Sequence, residues 1–135
     1  MMKSVAIRSV RVIDGTGRTI ERATVIVRGA TITAIGSDRD LSVPRGATKI
    51  DGRGLTLLPG LIDCHVHLCL GAEPDVVGAI AQETPALTLL KSSQAARKTL
   101  EAGFTTVRDV GSRDHSIFTL QRAIETGLIP GPRII

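Results

Sequence analysis

Short alternating stretches of apolar and polar residues dominate the first 58 residues of this 135-residue chain. Each stretch is rich in β-branched side chains and is bounded by Gly or Asp, which is typical of strands separated by turns. The predicted strands cover residues 5–13, 23–28, 31–35, 47–51 and 55–58. A piece of about 58 residues is marginal as an independent core. We therefore expect residues 1–58 to form a small β domain, sheet-like or sandwich-like, that packs on another part of the protein.

From residue 59 onward, apolar strand patterns alternate with helical ones. Residues 61–68 are apolar except for Asp63, His65 and His67, which predicts a strand buried on both faces. Further strands are predicted at 104–110 and from 133, with helices at 85–102 and 116–126, and a short helix could lie at 75–82. The order strand, helix, strand, helix, strand implies a parallel sheet. Residues 59–135 are thus predicted to be a second region, of α/β class.

The helix signals in this second region are specific enough to predict which face of each helix points inward. Thr84 is a good N-cap, Pro85 suits the first helical position, and Gly103 is the expected stop. The inward face of the first helix is predicted from positions at helical spacing. These are Ala86, Leu89, Ser93, Ala96 and Leu100, and the second helix presents Ile117, Leu120 and Ile124.

Composition and charge narrow the function classes. Apolar residues make up 42% of the chain, but the only aromatic residues are two Phe, so the core must be aliphatic. The net charge of +4 divides into +5 over residues 1–58 and −1 over residues 59–135. The basic residues are scattered and lack interleaved aromatic residues, so we expect no nucleic-acid partner. No apolar run approaches the ~20 residues that span a bilayer, so we expect no membrane partner and a cytoplasmic location, with Cys64 and Cys69 as free thiols.

His65 and His67 are the candidate metal ligands. Side chains at i and i+2 of a strand point to the same face, and their Cα atoms lie roughly 6.5–7 Å apart. Two imidazoles at that spacing can reach one divalent ion, although an isolated His-x-His is often coincidence. Two features favour a site. The pair ends a predicted parallel strand, where α/β folds place their active sites, and imidazoles within an apolar strand need partners.

Around this pair, the sequence resembles the amidohydrolase superfamily. The segment 57–68, Leu-Leu-Pro-Gly-Leu-Ile-Asp-Cys-His-Val-His-Leu, is similar to the signature of that family. Segments 12–17 and 29–36 resemble its N-terminal β-sandwich, and segments 103–111 and 129–134 resemble its next barrel strands. The similarity is greatest to imidazolonepropionase-like enzymes and Xaa-Pro dipeptidases. It covers the whole chain but only about the first third of such a protein.

The resemblance implies a TIM-type (β/α)8 barrel with a β-sandwich beside it, and hydrolysis of amide or other C–N bonds by metal-activated water. His65 and His67 match the first metal ligands of that family, on barrel strand 1. The cofactor it implies is a divalent metal, zinc above all, as one or two ions. Asp63 and Cys64 match family positions without a ligand role. Small-molecule substrates are implied, with N-acyl amino acids and Xaa-Pro dipeptides as candidates.

The family's other functional residues have no counterpart here. They are a bridging Lys on strand 4, His on strands 5 and 6, and an Asp on strand 8. A complete barrel takes ~250 residues, so residues 59–135 correspond to only the first two to three βα units. We therefore expect the 135-residue chain to be inactive by itself. His115 matches no family ligand, and a solvent-exposed or helix-capping position is expected for it.

Arg108 and Asp109 end the second predicted barrel strand, where they could line a pocket. The alternative is a local salt bridge or a capped turn, and both readings remain open. The loop 70–83 after the first barrel strand could cover a substrate or be passive.

Two other functions remain open at this stage. One is a non-catalytic β-rich interaction module that binds a partner through residues 1–58. The other is a self-assembling half barrel, because exposed strand edges favour association. The half-barrel hypothesis predicts a homo-oligomer or association through barrel edges.

Overall fold

The computed structural model describes residues 3–71, 74–112 and 114–135, and the chain divides into two compact units, Met1–Pro59 and Gly60–Ile135. The elements of the first unit are β1 (Ser4–Ile13), β2 (Thr19–Arg28), β3 (Thr31–Ser37), β4 (Thr48–Asp51) and β5 (Thr56–Leu57). Those of the second are β6 (Leu61–Val66), α1 (Val76–Gln82), α2 (Pro85–Glu101), β7 (Phe104–Asp109), α3 (Ser116–Glu125) and β8 (Arg133–Ile134).

The first unit contains one five-stranded sheet. Its order is β3-β2-β1-β4, with β5 paired to the far part of β1. The β1–β2 and β2–β3 pairs are antiparallel, whereas β4 and β5 run parallel to β1. Gly29 makes the tight β2–β3 connection with φ 59°, a conformation that favours glycine. The five predicted strands are confirmed, but the described residues of this unit form a single sheet, without a second layer.

The core of this sheet is aliphatic, as the composition predicts. Val10, Val12, Ala23 and Val25 form its buried cluster. The sheet is also incompletely covered, because Ile32 and Ile50 keep 57% and 46% of their surface exposed. This exposure agrees with the expectation that some 58 residues make only a marginal core.

The second unit is a parallel three-stranded sheet of order β6-β7-β8, with α2 and α3 connecting successive strands. Helix α2 begins as predicted, with Thr84 Oγ1 accepting the Leu87 N–H at 3.3 Å and Pro85 in the first turn. It ends before Gly103, whose φ of 96° suits glycine. The predicted βαβαβ order is confirmed.

The predicted inward face is confirmed for α3 and only in part for α2. In α3, Leu120 is fully buried and Ile117 and Ile124 pack against the same core, as predicted. In α2, the prediction is right for Ala96 but wrong for Ala86, which is exposed. The buried positions before Ala96 are Thr88 and Ser92. Small hydroxyl side chains are tolerated there because the Ser92 hydroxyl donates to the Thr88 carbonyl at 2.6 Å.

The prediction that strand 61–68 is buried on both faces is wrong for this chain. Strand β6 ends at Val66, and Leu61 and Ile62 are 44% and 66% exposed. The reason is position in the sheet, because β6 is an edge strand whose only strand neighbour among the described residues is β7. Gly60 permits close approach to β7, since a Cβ at this position would overlap the Thr105 side chain.

Candidate metal centre

A β-bulge shapes the segment that carries the two histidines. Asp63 pairs with Val107 and Val66 pairs with Asp109, so β6 has one residue more than β7 between these pairs. Cys64 and His65 of β6 therefore lie opposite the single residue Arg108 of β7. Bulges interrupt the regular ladder and redirect side chains, and they are frequent beside active sites.

The structure brings His65 and His67 together. Their ring centroids lie 5.3 Å apart with an interplanar angle of 77°. Both residues are exposed, and His67 lies just beyond the last residue of β6. The regular i, i+2 strand geometry assumed from the sequence is therefore replaced by a bulge and a strand end, yet the rings remain close enough to approach one ion.

The hydrogen bond of His67 determines which of its ring nitrogens is available. Nδ1 lies 2.9 Å from the carbonyl oxygen of Gly111. A carbonyl only accepts hydrogen bonds, so Nδ1 carries the proton in the neutral ring and Nε2 keeps its lone pair. Metal-binding histidines are commonly oriented by such a bond from the other ring nitrogen to a backbone carbonyl.

The donor set fits the beginning of a metal site but is incomplete. Among residues 3–71, 74–112 and 114–135, no group of three or more His, Cys, Asp or Glu side chains could hold an ion. Asp63 accepts the His65 backbone N–H at 3.0 Å. Cys69 is buried, and burial raises the pKa of its thiol, which disfavours the thiolate needed for ligation.

Arg108 and Asp109, at the end of β7, bind the backbone around the histidines. Arg108 Nε donates to the carbonyl oxygen of Cys64 at 2.8 Å. Asp109 accepts the Leu68 N–H through Oδ2 at 2.8 Å and the Gly111 N–H through Oδ1 at 3.1 Å. Asp109 also lines a hollow of about 380 Å³ at this end of the sheet. Sequence reasoning missed these backbone contacts and the role of Gly111, because a glycine after a strand signals only a turn.

The other candidates lie apart from these contacts. His115 is the N-cap residue of α3 and is exposed, as expected, but its side chain makes no capping hydrogen bond. Its ring lies 6.0 Å from that of Phe118. In the loop 70–83, which could cover a substrate or be passive, Ala72 and Glu73 lie outside the described residues. None of the helices in the described part of the chain is long and apolar enough to cross a membrane.

Comparison with known proteins decides the family. A sequence model of the amidohydrolase family matches residues 56–135, which include β6, both histidines and the Arg108–Asp109 pair. The chain belongs to the amidohydrolase family. The resemblance inferred from segment 57–68 is thereby confirmed.

Relatives of this amidohydrolase chain include an imidazolonepropionase, a deacylase and a dipeptidase. The imidazolonepropionase of Aromatoleum aromaticum is 56% identical over 43 residues, 31% of this chain and 10% of that enzyme. The N-acyl-D-aspartate deacylase of Alcaligenes xylosoxydans xylosoxydans is 39% identical over 72 residues, 52% of this chain and 14% of that enzyme. A crystal structure of a Xaa-Pro dipeptidase, with methionine bound in its active site, superposes with a TM-score of 0.83 and 30% identity, covering 98% of this chain and 32% of the dipeptidase.

The amidohydrolase chain thus spans only a small part of these proteins, from 10% to 14% of the two curated enzymes and 32% of the dipeptidase.

Proposed function

We propose that this chain supplies the first two metal ligands, His65 and His67, of a metal-dependent hydrolase that cleaves amide or other C–N bonds. The observation that carries the proposal is the pair of exposed imidazoles 5.3 Å apart, with His67 Nδ1 held by the Gly111 carbonyl. In such enzymes a divalent ion, here most simply zinc, lowers the pKa of a bound water and polarises the scissile carbonyl.

The residues of this chain contribute binding and orientation. The Gly111 carbonyl holds the His67 ring so that its Nε2 lone pair is free to bind an ion. Because both rings are exposed, an ion bound to them would be accessible to a small-molecule substrate. N-acyl amino acids and Xaa-Pro dipeptides are the proposed substrate classes, supported by the names of the deacylase and the dipeptidase.

The strand order and the position of the histidines also support a proposal about the fold. Residues 59–135 are proposed to be the first βα units of a (β/α)8 barrel, and residues 1–58 part of a β-sandwich-like domain. The parallel β6-β7-β8 order and the histidines at the carboxyl end of β6 support the barrel, because barrel active sites lie at that end of the strands. A cytoplasmic location remains a prediction.

The direct test is a zinc titration of the 135-residue chain by calorimetry. We expect weak binding, because two imidazoles leave an ion mostly hydrated, and a loss of about 10-fold or more for His65→Ala or His67→Ala. His115→Ala is the matched control and should bind as the unaltered chain does. Equal losses in all three variants, or none in the first two, would contradict the ligand assignment.

Catalysis by the chain alone is not expected, because the described residues offer no third ligand for the ion. The assay is turnover of N-acyl amino acids and Xaa-Pro dipeptides with zinc present. Robust turnover that disappears in His67→Ala would show that two imidazoles suffice and would overturn this expectation.

Self-association is a second candidate property, favoured by the exposed edge strand β6 with its apolar residues Leu61 and Ile62. Such edges pair readily with other strands. Sedimentation velocity should show dimers or larger species, and Ile62→Lys should shift the distribution toward monomer. A monomer at every concentration would reject the proposal.

A further inference from the structure

We propose that Arg108 and Asp109 form a brace that positions both imidazoles, with one arm before His65 and the other after His67. The proposal rests on the metal-binding function proposed above. These are positioning residues, since their hydrogen bonds go to the backbone on either side of the histidines rather than to the imidazole rings.

The first arm of the brace secures the bulge. The register shift between Asp63 and Val66 interrupts the regular ladder at Cys64 and His65. The carbonyl of Cys64, directly before His65, accepts a hydrogen bond from Arg108 Nε at 2.8 Å. A charged donor forms a stronger bond than a neutral one, so the guanidinium holds the peptide that aims His65.

The second arm connects the loops that follow β6 and β7. Asp109 Oδ2 accepts the N–H of Leu68, the residue next to His67, and Oδ1 accepts the N–H of Gly111. The carbonyl of the same Gly111 bonds His67 Nδ1. One carboxylate therefore orients both the backbone of His67 and the acceptor that sets its tautomer.

The chemistry of this arm requires a carboxylate. Two backbone N–H groups need two acceptor oxygens, and an ionised Asp has both. The amide of Asn has one oxygen, so Asp109→Asn must lose one of the two bonds and turns an NH2 group toward a backbone N–H. Leu68 is buried, so its N–H has little access to replacement water.

The test is the tautomer of His67, read at pH 8 from long-range ¹H–¹⁵N correlations of the ¹⁵N-histidine-labelled chain without metal. In the unaltered chain we expect His67 mainly as the Nδ1–H form. In Asp109→Asn we expect a clear shift toward Nε2–H and about 10-fold weaker zinc binding. Asp114→Asn is the matched control, because Asp114 accepts the Ser116 N–H in the same unit. It should change neither value.

A pair of arginine variants tests the first arm. Arg108→Lys should weaken zinc binding several-fold and shift the His65 ring signals, because an ammonium lacks the Nε–H that reaches Cys64. Arg97→Lys is the control, since Arg97 pairs with Glu101 on the surface of α2. Equal effects of the two substitutions would reject this arm.

One readout needs no variant, which keeps the proposal testable if Asp109→Asn fails to fold. The amide protons of Leu68 and Gly111 should exchange slowly in the unaltered chain, and fast exchange would overturn the brace. An unchanged His67 tautomer in folded Asp109→Asn would also overturn it. A tautomer that depends on Asp109 in a chain that binds no zinc would support the brace and reject the metal function, so the two proposals fail separately.

Discussion

One of the register irregularities in each unit lies near an aspartate that accepts hydrogen bonds from a neighbouring segment. In the first unit, β1 is irregular between Ile7 and Val10, and Ser9 there has a φ of 57°. Asp38 accepts hydrogen bonds from Ser9 N at 3.1 Å, from Ser9 Oγ at 2.6 Å and from Thr24 Oγ1 at 2.6 Å. In the second unit, Asp109 serves the bulged strand β6 through the backbone N–H groups of the loops beyond it.

The two irregularities differ in what the carboxylate holds. All three bonds of Asp38 go to residues within the sheet of the first unit, and Thr24 is completely buried. The partners of Asp109 are Leu68, which follows His67 directly, and Gly111, whose carbonyl bonds the His67 ring. The same hydrogen-bonding device therefore stabilises a sheet in one unit and, on our proposal, presents metal ligands in the other. Thr24 is completely buried and Ser9 is half-buried, whereas Gly111, one of the two donors to Asp109, is exposed. We therefore expect the hydrogen bonds of Asp38 to contribute more to stability.

The largest effect is expected from removing the first carboxylate. Asp38→Ala should lower the free energy of unfolding by roughly 2–4 kcal/mol, because the buried Thr24 hydroxyl and the strained Ser9 lose their acceptor. Asp40→Ala, two residues on and exposed, should cost less than about 0.5 kcal/mol. Urea unfolding followed by circular dichroism measures both, since the chain has no Trp or Tyr. Equal losses in the two variants would show that the hydrogen bonds of Asp38 do not stabilise the sheet.

Low pH should remove the contribution of the Asp38 carboxylate to the stability of the unaltered chain. Hydrogen bonds from the Ser9 hydroxyl first, and then from Thr24, lower the pKa of Asp38 from 3.8 to about 2. A carboxylate with a lowered folded-state pKa stabilises the fold above pH 3.8, and this contribution is lost as the pH falls toward 2. Unfolding midpoints measured between pH 5 and pH 2 should therefore decline more steeply for the unaltered chain than for Asp38→Ala. Parallel curves would contradict the assignment.

A smaller effect is expected from one of the donors. Thr24→Val keeps the shape of the side chain but removes its hydrogen bond to Asp38, which should cost roughly 1.5 kcal/mol. Thr19→Val, at an exposed position of the same strand, is the control and should be nearly neutral. Urea unfolding of the two variants provides the measurement. A neutral Thr24→Val would mean that Ser9 alone holds Asp38.

The smallest effect is expected from the helix cap Thr84. Its removal tests whether a loss of stability alone can weaken zinc binding. Thr84→Ala removes the α2 cap and should cost about 1 kcal/mol without changing zinc affinity, because the cap contacts neither histidine. Thr84→Ser should restore the stability. If Thr84→Ala weakened zinc binding as much as Asp109→Asn does, the effect of Asp109 would be one of stability alone.

Local signals made much of the fold predictable. The N-cap Thr84, the stop at Gly103 and the spacing of Ile117, Leu120 and Ile124 depend on neighbouring residues only, and the structure agrees with all of them. Burial was less predictable because it depends on distant neighbours. The apolar β6 is exposed as an edge strand, and Thr88 and Ser92 of α2 are buried where their hydroxyls find partners.

The sequence by itself determined the family, the order of the elements and the two candidate ligands, because motif, periodicity and turn residues are local properties of the chain. Only the tertiary structure decided what surrounds those ligands. His67 and Gly111 are 44 residues apart, and Leu68 and Asp109 are 41 apart. Their hydrogen bonds exist because a parallel pairing places the carboxyl ends of β6 and β7 side by side, and no local pattern specifies which backbone groups then meet.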